Sequence, residues 1–174
     1  YMSGVAIDRI RRIGPIFRSR EAVTAGVSWR DLYALRDDGQ ILELSRGLYQ
    51  LAESAGLDNI DFLAVCARAP HGMIALDSAL SYWDFSDEIP AAVHLAVPEG
   101  SHRPAIDHPP TIVHVFRAAT FDLGRIEIRE TGGERFQITD QERTIVDAFR
   151  LRHLLGENAA HQALRRYLNQ PRAK

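Results

Sequence analysis

The chain has 174 residues, 45% of them hydrophobic and 25% charged, with a formal net charge of −2. These values fit one ordinary domain, or a small module joined to a larger one, and exclude collagen, low-complexity fibre and intrinsic disorder. No apolar run approaches the ~18–20 residues of a spanning helix, and no apolar core or cleavage site follows the arginines at 9, 11 and 12, so neither a membrane segment nor a secretory leader is expected. The one cysteine, Cys66, has no internal partner and falls in an apolar helical pattern, which fits a small core residue in a reducing cytoplasm. Tyr1 stands ahead of Met2 and reads as an addition before the natural start, and the tail from Gln170 to Lys174 reads equally as a natural end or a truncation.

Charge is unevenly placed. Residues 1–36 carry seven arginines against three acids, a net of +4, and the remainder carries fourteen bases against twenty acids, a net of −6. A basic head on an acidic body points to a nucleic-acid contact confined to the head. Every basic residue except Lys174 is arginine, a bias that genome composition alone can produce, so the placement of the arginines matters more than their number.

In chain order, Val5, Ile10 and Ile13 predict a short amphipathic helix over 5–13, stopped by Gly14-Pro15. A second helix follows, with Ser19 as its N-cap, Glu21 and Ala22 in the first turn, and Gly26 as the left-handed residue past its end. Val27 fills the turn. Ser28 caps a third helix over 29–37, with Asp31 at the position of a capping-box acid, and Gly39 closes it. Two short helices around a glycine turn form a helix-turn-helix. Strand candidates 41–45 and 48–51, joined by a tight Arg46-Gly47 turn, add a wing.

At 100° per residue, Leu32 and Leu35 set the buried direction of the third helix and Arg30 points almost opposite. A recognition helix inserts its N-terminal part into the major groove. Arg30 is therefore the candidate base reader, most naturally of guanine. Tyr33 is a candidate for base or phosphate, and Ser28, Trp29 and Arg36 for packing or backbone contacts. Arg18, Ser19 and Arg20 start the second helix, where N–H groups and cations suit phosphate, and Arg46 with Gly47 forms the wing tip. Asp31, Asp37 and Asp38 work against this face, and a winged helix that only docks protein is the competing reading.

Ala52–Gly56 is a connector. Next come a helix over 57–69 ended by Pro70, a turn and short strand over 71–76, and a short helix over 78–82 capped by Asp77. Strands are predicted at 93–97, 112–116, 125–129 and 135–138, with a polar loop at 101–110. Thr139 and Glu142 form a capping box for a helix through Phe149, and Gly156 separates that from a last helix, 157–168. The expected fold class is α+β: a winged helix-turn-helix over 1–52, then a mixed α/β domain over 57–174.

The body shows no clear catalytic constellation. Its histidines include no H-x-x-x-H pair and no cysteine pair accompanies them, so no metal site is assigned. Ser78 lacks a nucleophile elbow and a nameable base. Asp84, Asp87 and Glu88 form an acidic loop without the lysine or second carboxylate set of a metal-dependent nuclease, leaving a nucleic-acid-processing enzyme as a third reading. Arg143 and Asp147 lie four apart on one helix and read as an exposed pair worth about 0.3–0.5 kcal/mol. No cofactor and no enzymatic activity are expected.

The order of motifs resembles the AbiEi family of antitoxins of bacterial abortive-infection, type IV toxin–antitoxin systems. In the head, the likeness rests on Phe17-Arg18-Ser19-Arg20-Glu21-Ala22, Ala25-Gly26-Val27-Ser28, Leu32 with Leu35, Gly39, and Leu44-Ser45-Arg46-Gly47-Leu48-Tyr49. In the body it rests on Asp77-Ser78-Ala79-Leu80, Val93-His94-Leu95-Ala96-Val97-Pro98 and the run Thr139 to Asp147. The resemblance covers about 17–150, and many relatives run further at the C-terminus. It implies a cytoplasmic antitoxin whose winged helix binds double-stranded operator DNA, as a homodimer where half-sites are paired, to repress its own operon. It also implies a body that counters a nucleotidyltransferase-type toxin, without requiring a direct complex. The matching DNA residues are those already derived, and in the body only Ser78 and Arg143 with Asp147 stand in matching motifs.

Overall fold

A computed structural model describes residues 2–130 and 133–171; Tyr1 and 172–174, on which two readings rested, lie outside them. Helix α1 (Met2–Ile13) buries Ala6, Ile7 and Ile10 on one stripe. After Gly14-Pro15 comes a strand, β1 (Ile16–Arg18), that was not expected. Three residues carry too little periodicity to show a strand, and this one exists because it pairs antiparallel with a distant segment: Phe17 lies opposite Tyr49 and their rings stack at 5.7 Å. Helix α2 (Ser19–Thr24) is consequently capped one residue earlier than expected. Arg18 occupies the cap position, its N–H donates to the Glu21 carboxylate, and the Ser19 N–H is taken by the Gly47 carbonyl at 2.9 Å.

Helix α3 (Trp29–Asp37) follows its predicted bounds. The Ser28 hydroxyl accepts the Asp31 N–H at 3.1 Å and donates to the Asp31 carboxylate at 2.7 Å, so the box closes hydroxyl to carboxylate. Strands β2 (Ile41–Ser45) and β3 (Leu48–Leu51) complete a three-stranded sheet in the order β1-β3-β2, with an irregularity between Glu43 and Ser45. Its core gathers Ile10, Phe17, Ala22, Val27, Leu32, Leu35, Ile41 and Tyr49.

Beyond a 3₁₀ turn at Ala52–Ser54 the body contains α4 (Ile60–Arg68), β4 (Met73–Ile74), α5 (Leu76–Tyr82), β5 (Val93–Pro98), β6 (Thr111–Phe116), β7 (Arg125–Arg129), β8 (Arg135–Thr139), α6 (Gln141–Arg150), α7 (Arg152–Leu155) and α8 (Glu157–Asn169). The five strands form one mixed sheet in the order β6-β5-β4-β8-β7. β5–β6 and β4–β8 are parallel, and β4–β5 and β7–β8 antiparallel. Strand alternation sends Ile74, Leu95, Val97 and Ile138 into a core with α4, and Met73, Ala96 and Phe116 into another on the opposite face. A further core joins α5, α6 and α8 through Leu80, Ile145, Ala148, Ala160 and Ala163.

Several boundaries differ from the sequence reading. α4 starts at Ile60, after a left-handed Asn59 (φ 58°). Asp77 sits inside the first turn of α5 and is not its cap. The α6 cap is Asp140, whose carboxylate accepts the Arg143 N–H at 2.7 Å. Thr139 ends β8 fully buried, its hydroxyl 2.8 Å from that of Thr144. The Arg143–Asp147 pair is not exposed: Asp147 is 1% accessible and the pair closes at 2.9 Å.

Candidate nucleic-acid interface

Two helix ends set the geometry of the head. At the end of α2 the Val27 N–H bonds the Ala22 carbonyl and the Gly26 N–H the Val23 carbonyl, both at 2.9 Å. This is a Schellman closure, and Gly26, at φ +86°, supplies the left-handed residue it needs. The Arg9 guanidinium donates to the Gly26 carbonyl, tying the turn to α1. α3 ends in the same way at Gly39, through Gly39 N–H to Arg36 and Gln40 N–H to Leu35. Between these stops α3 buries Leu32 and Leu35 completely and turns Arg30 outward, with Trp29 and Tyr33 about half exposed.

The expected site residues fall into two groups. Ser28, Trp29, Arg30 and Tyr33 share the first turns of α3, where the Trp29 and Tyr33 rings lie 6.0 Å apart. Ser19, Arg20, Arg46 and Gly47 meet where the wing tip is latched to α2 by the Ser19–Gly47 bond. A Cβ on Gly47 would approach the Ser19 hydroxyl to 3.2 Å, and its φ of +75° is left-handed. Two arginines are committed elsewhere. Arg18 donates to the Ala67 carbonyl of α4 at 2.8 Å, and Ile16 beside it packs on the body core, so β1 is a seam between head and body. Arg36 pairs with Asp37 at 3.0 Å and Glu43 at 3.5 Å and lies over the Tyr33 ring. The hydrogen bond to Asp37 raises its already high pKa, leaving it charged but internally compensated.

Among the described residues of the head, Arg12, Arg20, Arg30 and Arg46 are exposed and have guanidinium groups with no protein acceptor. Arg12, in the last turn of α1, was not among the expected DNA residues. Its exposed place in the predicted helix was the available signal. Of the acids on α3, Asp31 is held by the Ser28 hydroxyl and Asp37 by Arg36.

The body's polar residues are used internally. The Ser78 hydroxyl accepts the His94 backbone N–H at 2.9 Å. His114 Nε2 lies 3.1 Å from His94 Nδ1, and Asp77 stands 3.6 Å from His94 Nε2. Burial pushes the His114 pKa down to about 4 and that of His94 down, and it pushes Asp77 up. Among the described residues no three His, Cys, Asp or Glu side chains are grouped to hold a metal ion. The acidic loop is partly offset by Arg166, which pairs with Asp87 and Asp84 and lowers the Asp87 pKa. Burial raises the Cys66 thiol to about 11, which suppresses its thiolate. No helix among the described residues is long and apolar enough to cross a membrane.

Three helices closed by a small antiparallel sheet, with α3 turned outward and a β2–β3 wing, define a winged helix-turn-helix protein with a mixed α/β body. Residues 6–52, the head, match the family model described as "Transcriptional regulator, AbiEi antitoxin". The fold as a whole is similar to the crystal structure of the RV2827C protein from Mycobacterium tuberculosis, at 16% identity and a TM-score of 0.56. That likeness covers 84% of this chain and 58% of the other, so the chain spans just over half of that protein's length. No curated protein matches the chain.

Proposed function

We propose that this protein is an antitoxin of the type IV class that binds operator DNA through its head and represses its own operon. In this reading residues 1–52 are the DNA-binding unit, and 57–174 form the antitoxin domain that counters a nucleotidyltransferase-type toxin. The carrying observation is that Arg30 on α3, Arg20 and Arg46 at the latched wing, and Arg12 on α1 are exposed cations without an internal acceptor, on a head that has its own apolar core. Arg30 reads a base edge in the major groove, Trp29 and Tyr33 line its wall, and Ser28 fixes the helix start. Arg12, Arg20 and Arg46 contact phosphate, and Ser19 and Gly47 shape the wing that carries Arg46. Arg18 and Arg36 support the frame. Two heads on paired half-sites make a homodimer on DNA. The match of 6–52 to an antitoxin regulator supports the assignment of both roles.

The half-exposed Trp29–Tyr33 pair favours a second reading, a head that docks protein. Footprinting on the DNA upstream of the gene, with binding measured across a salt series, decides between them. Three phosphate contacts per head give a log–log slope of about −2.7 per head. Paired protected half-sites with such a slope support the repressor. A flat series and no footprint refute it.

A further inference from the structure

A groove of about 750 Å³ opens where the head meets the body, outside the surface assigned to DNA. Its floor is apolar, built from Pro15 before β1, Leu51 at the end of β3, and Ile60 and Leu63 on α4. Leu57 forms one wall and is 55% exposed, an uncovered leucine beside a concave apolar floor. The rim is acidic. Glu53 is already neutralised by Arg11, which holds it through two bonds of 2.9 and 3.0 Å and also binds Asp8 at 2.9 Å, so the charge of Arg11 is already shared between two carboxylates. Asp58, Glu130 and Glu134 have no ion pair among the described residues. Glu130 receives only the neutral Asn59 amide, at 2.9 Å, and the Glu134 carboxylate lies over Gly14, where a Cβ would meet it at 2.9 Å.

We propose that this groove is a docking site for a basic amphipathic segment of a partner protein, with apolar residues on the floor and flanking arginine or lysine on Asp58, Glu130 and Glu134. Charge complementarity selects the occupant. Three uncompensated carboxylates repel nucleic acid, so the groove is not an extension of the α3 surface. A small cation would neutralise the rim and leave Leu57 in water. A segment with apolar side chains on one face and cations beside them covers both. The occupant would touch Leu51 of the head and Leu63 of the body at once. The proposal does not rest on duplex binding.

The test uses the full chain labelled with ¹⁵N and a capped helical peptide carrying leucines on one face and arginines beside them. A second peptide has glutamates in place of the arginines. The arginine peptide is expected to shift the amide signals of Leu57, Leu63 and Glu130, while the glutamate peptide shifts none. The Glu130→Lys/Glu134→Lys variant, with unchanged far-UV circular dichroism and Tm, is expected to weaken binding about tenfold, as loss of two partly exposed ion pairs implies. Arg30→Ala should leave peptide affinity unchanged, so failure of this proposal and failure of the DNA reading are separable. Absence of binding at millimolar peptide overturns the proposal, as does binding that survives the charge reversal in the folded variant or maps to α3. Arginine amide saturating the same signals as tightly as the peptide also overturns it, in favour of a small-ligand site. A concentration-dependent dimer abolished by Leu57→Asp overturns it in favour of a second copy as occupant.

Discussion

Asp147→Ala removes the buried counter-ion of Arg143, the side chain by which α6 reaches the carbonyls of Thr120 and Leu123. Asp147 is 1% accessible and accepts Arg143 Nε at 2.9 Å and Arg150 at 2.9 and 3.2 Å. Arg143, with its side chain 11% exposed, also donates to the carbonyls of Thr120, at 2.9 Å, and Leu123, and it lies 5.7 Å from the Phe116 ring. These bonds keep the guanidinium in place after the mutation, charged and without its counter-ion. Arg150 is 45% exposed and can turn to water, so its arm of the network contributes about 0–1 kcal/mol. Breaking a buried pair from one side costs about 3–5 kcal/mol. The two carbonyl bonds that survive place this case at the lower end, near 3 kcal/mol, or a fall in Tm of about 6–12 °C for a chain of this size. Asp147→Asn keeps the shape and one acceptor but not the charge, and is expected to cost about half as much. Urea unfolding followed by far-UV circular dichroism, with linear extrapolation to water, measures both. An Asp147→Ala variant within about 0.5 kcal/mol of the parent, the scatter of ordinary surface changes, would refute the reading of Asp147 as the counter-ion that Arg143 needs in its buried site.

Arg30→Ala is expected to cost about 1–3 kcal/mol of duplex affinity and to relax preference at one base position, while Arg46→Ala weakens all sequences alike and lowers the salt slope by about 1. Site selection on randomised duplexes separates the two, and an unchanged preference with Arg30→Ala would disprove the orientation of α3. Ser28→Ala removes the α3 cap and the Asp31 partner and should destabilise the chain by about 1 kcal/mol. Ser28→Asp should keep the cap yet weaken DNA binding by adding charge, read by urea unfolding beside an anisotropy titration. His114 is held below its usual value of 6.5, at about 4, chiefly by burial, so the unfolded chain binds a proton there that the folded chain does not. Its contribution is complete above about pH 6.5 and is lost as the pH falls towards 4. His114→Gln should flatten that limb of the stability–pH profile, and an unchanged limb would assign it to other groups.

Much of the head was legible because its signals are local. Ser28 before α3, Gly26 and Gly39 after α2 and α3, and the spacing of Leu32 and Leu35 each depend on a few neighbouring residues, and a one-dimensional pattern records them. The outward direction of Arg30 follows from the same helical period. The signal failed where packing, and not local pattern, decides what a side chain meets. Arg18 and Arg36 are equally arginine in the sequence, yet one donates to Ala67 and the other pairs with Asp37 and Glu43, so both are already engaged within the chain. Arg12 stays exposed and unpaired because nothing folds back to meet it.

The sequence by itself determined which segments become helix or hairpin, where the head's helices stop, and which residues of α3 face away from the core, because capping, glycine conformation and apolar period are properties of contiguous residues. Only the tertiary structure decided that Ile16–Arg18 would become a strand, that Asp147 would be buried with Arg143, that His94 and His114 would meet across β5 and β6, and that Leu57, Glu130 and Glu134 would border one groove. Those outcomes depend on which strands pair and on what the chain brings back from tens of residues away. Side-chain burial and charge compensation are properties of the packed neighbourhood, and no local pattern carries them.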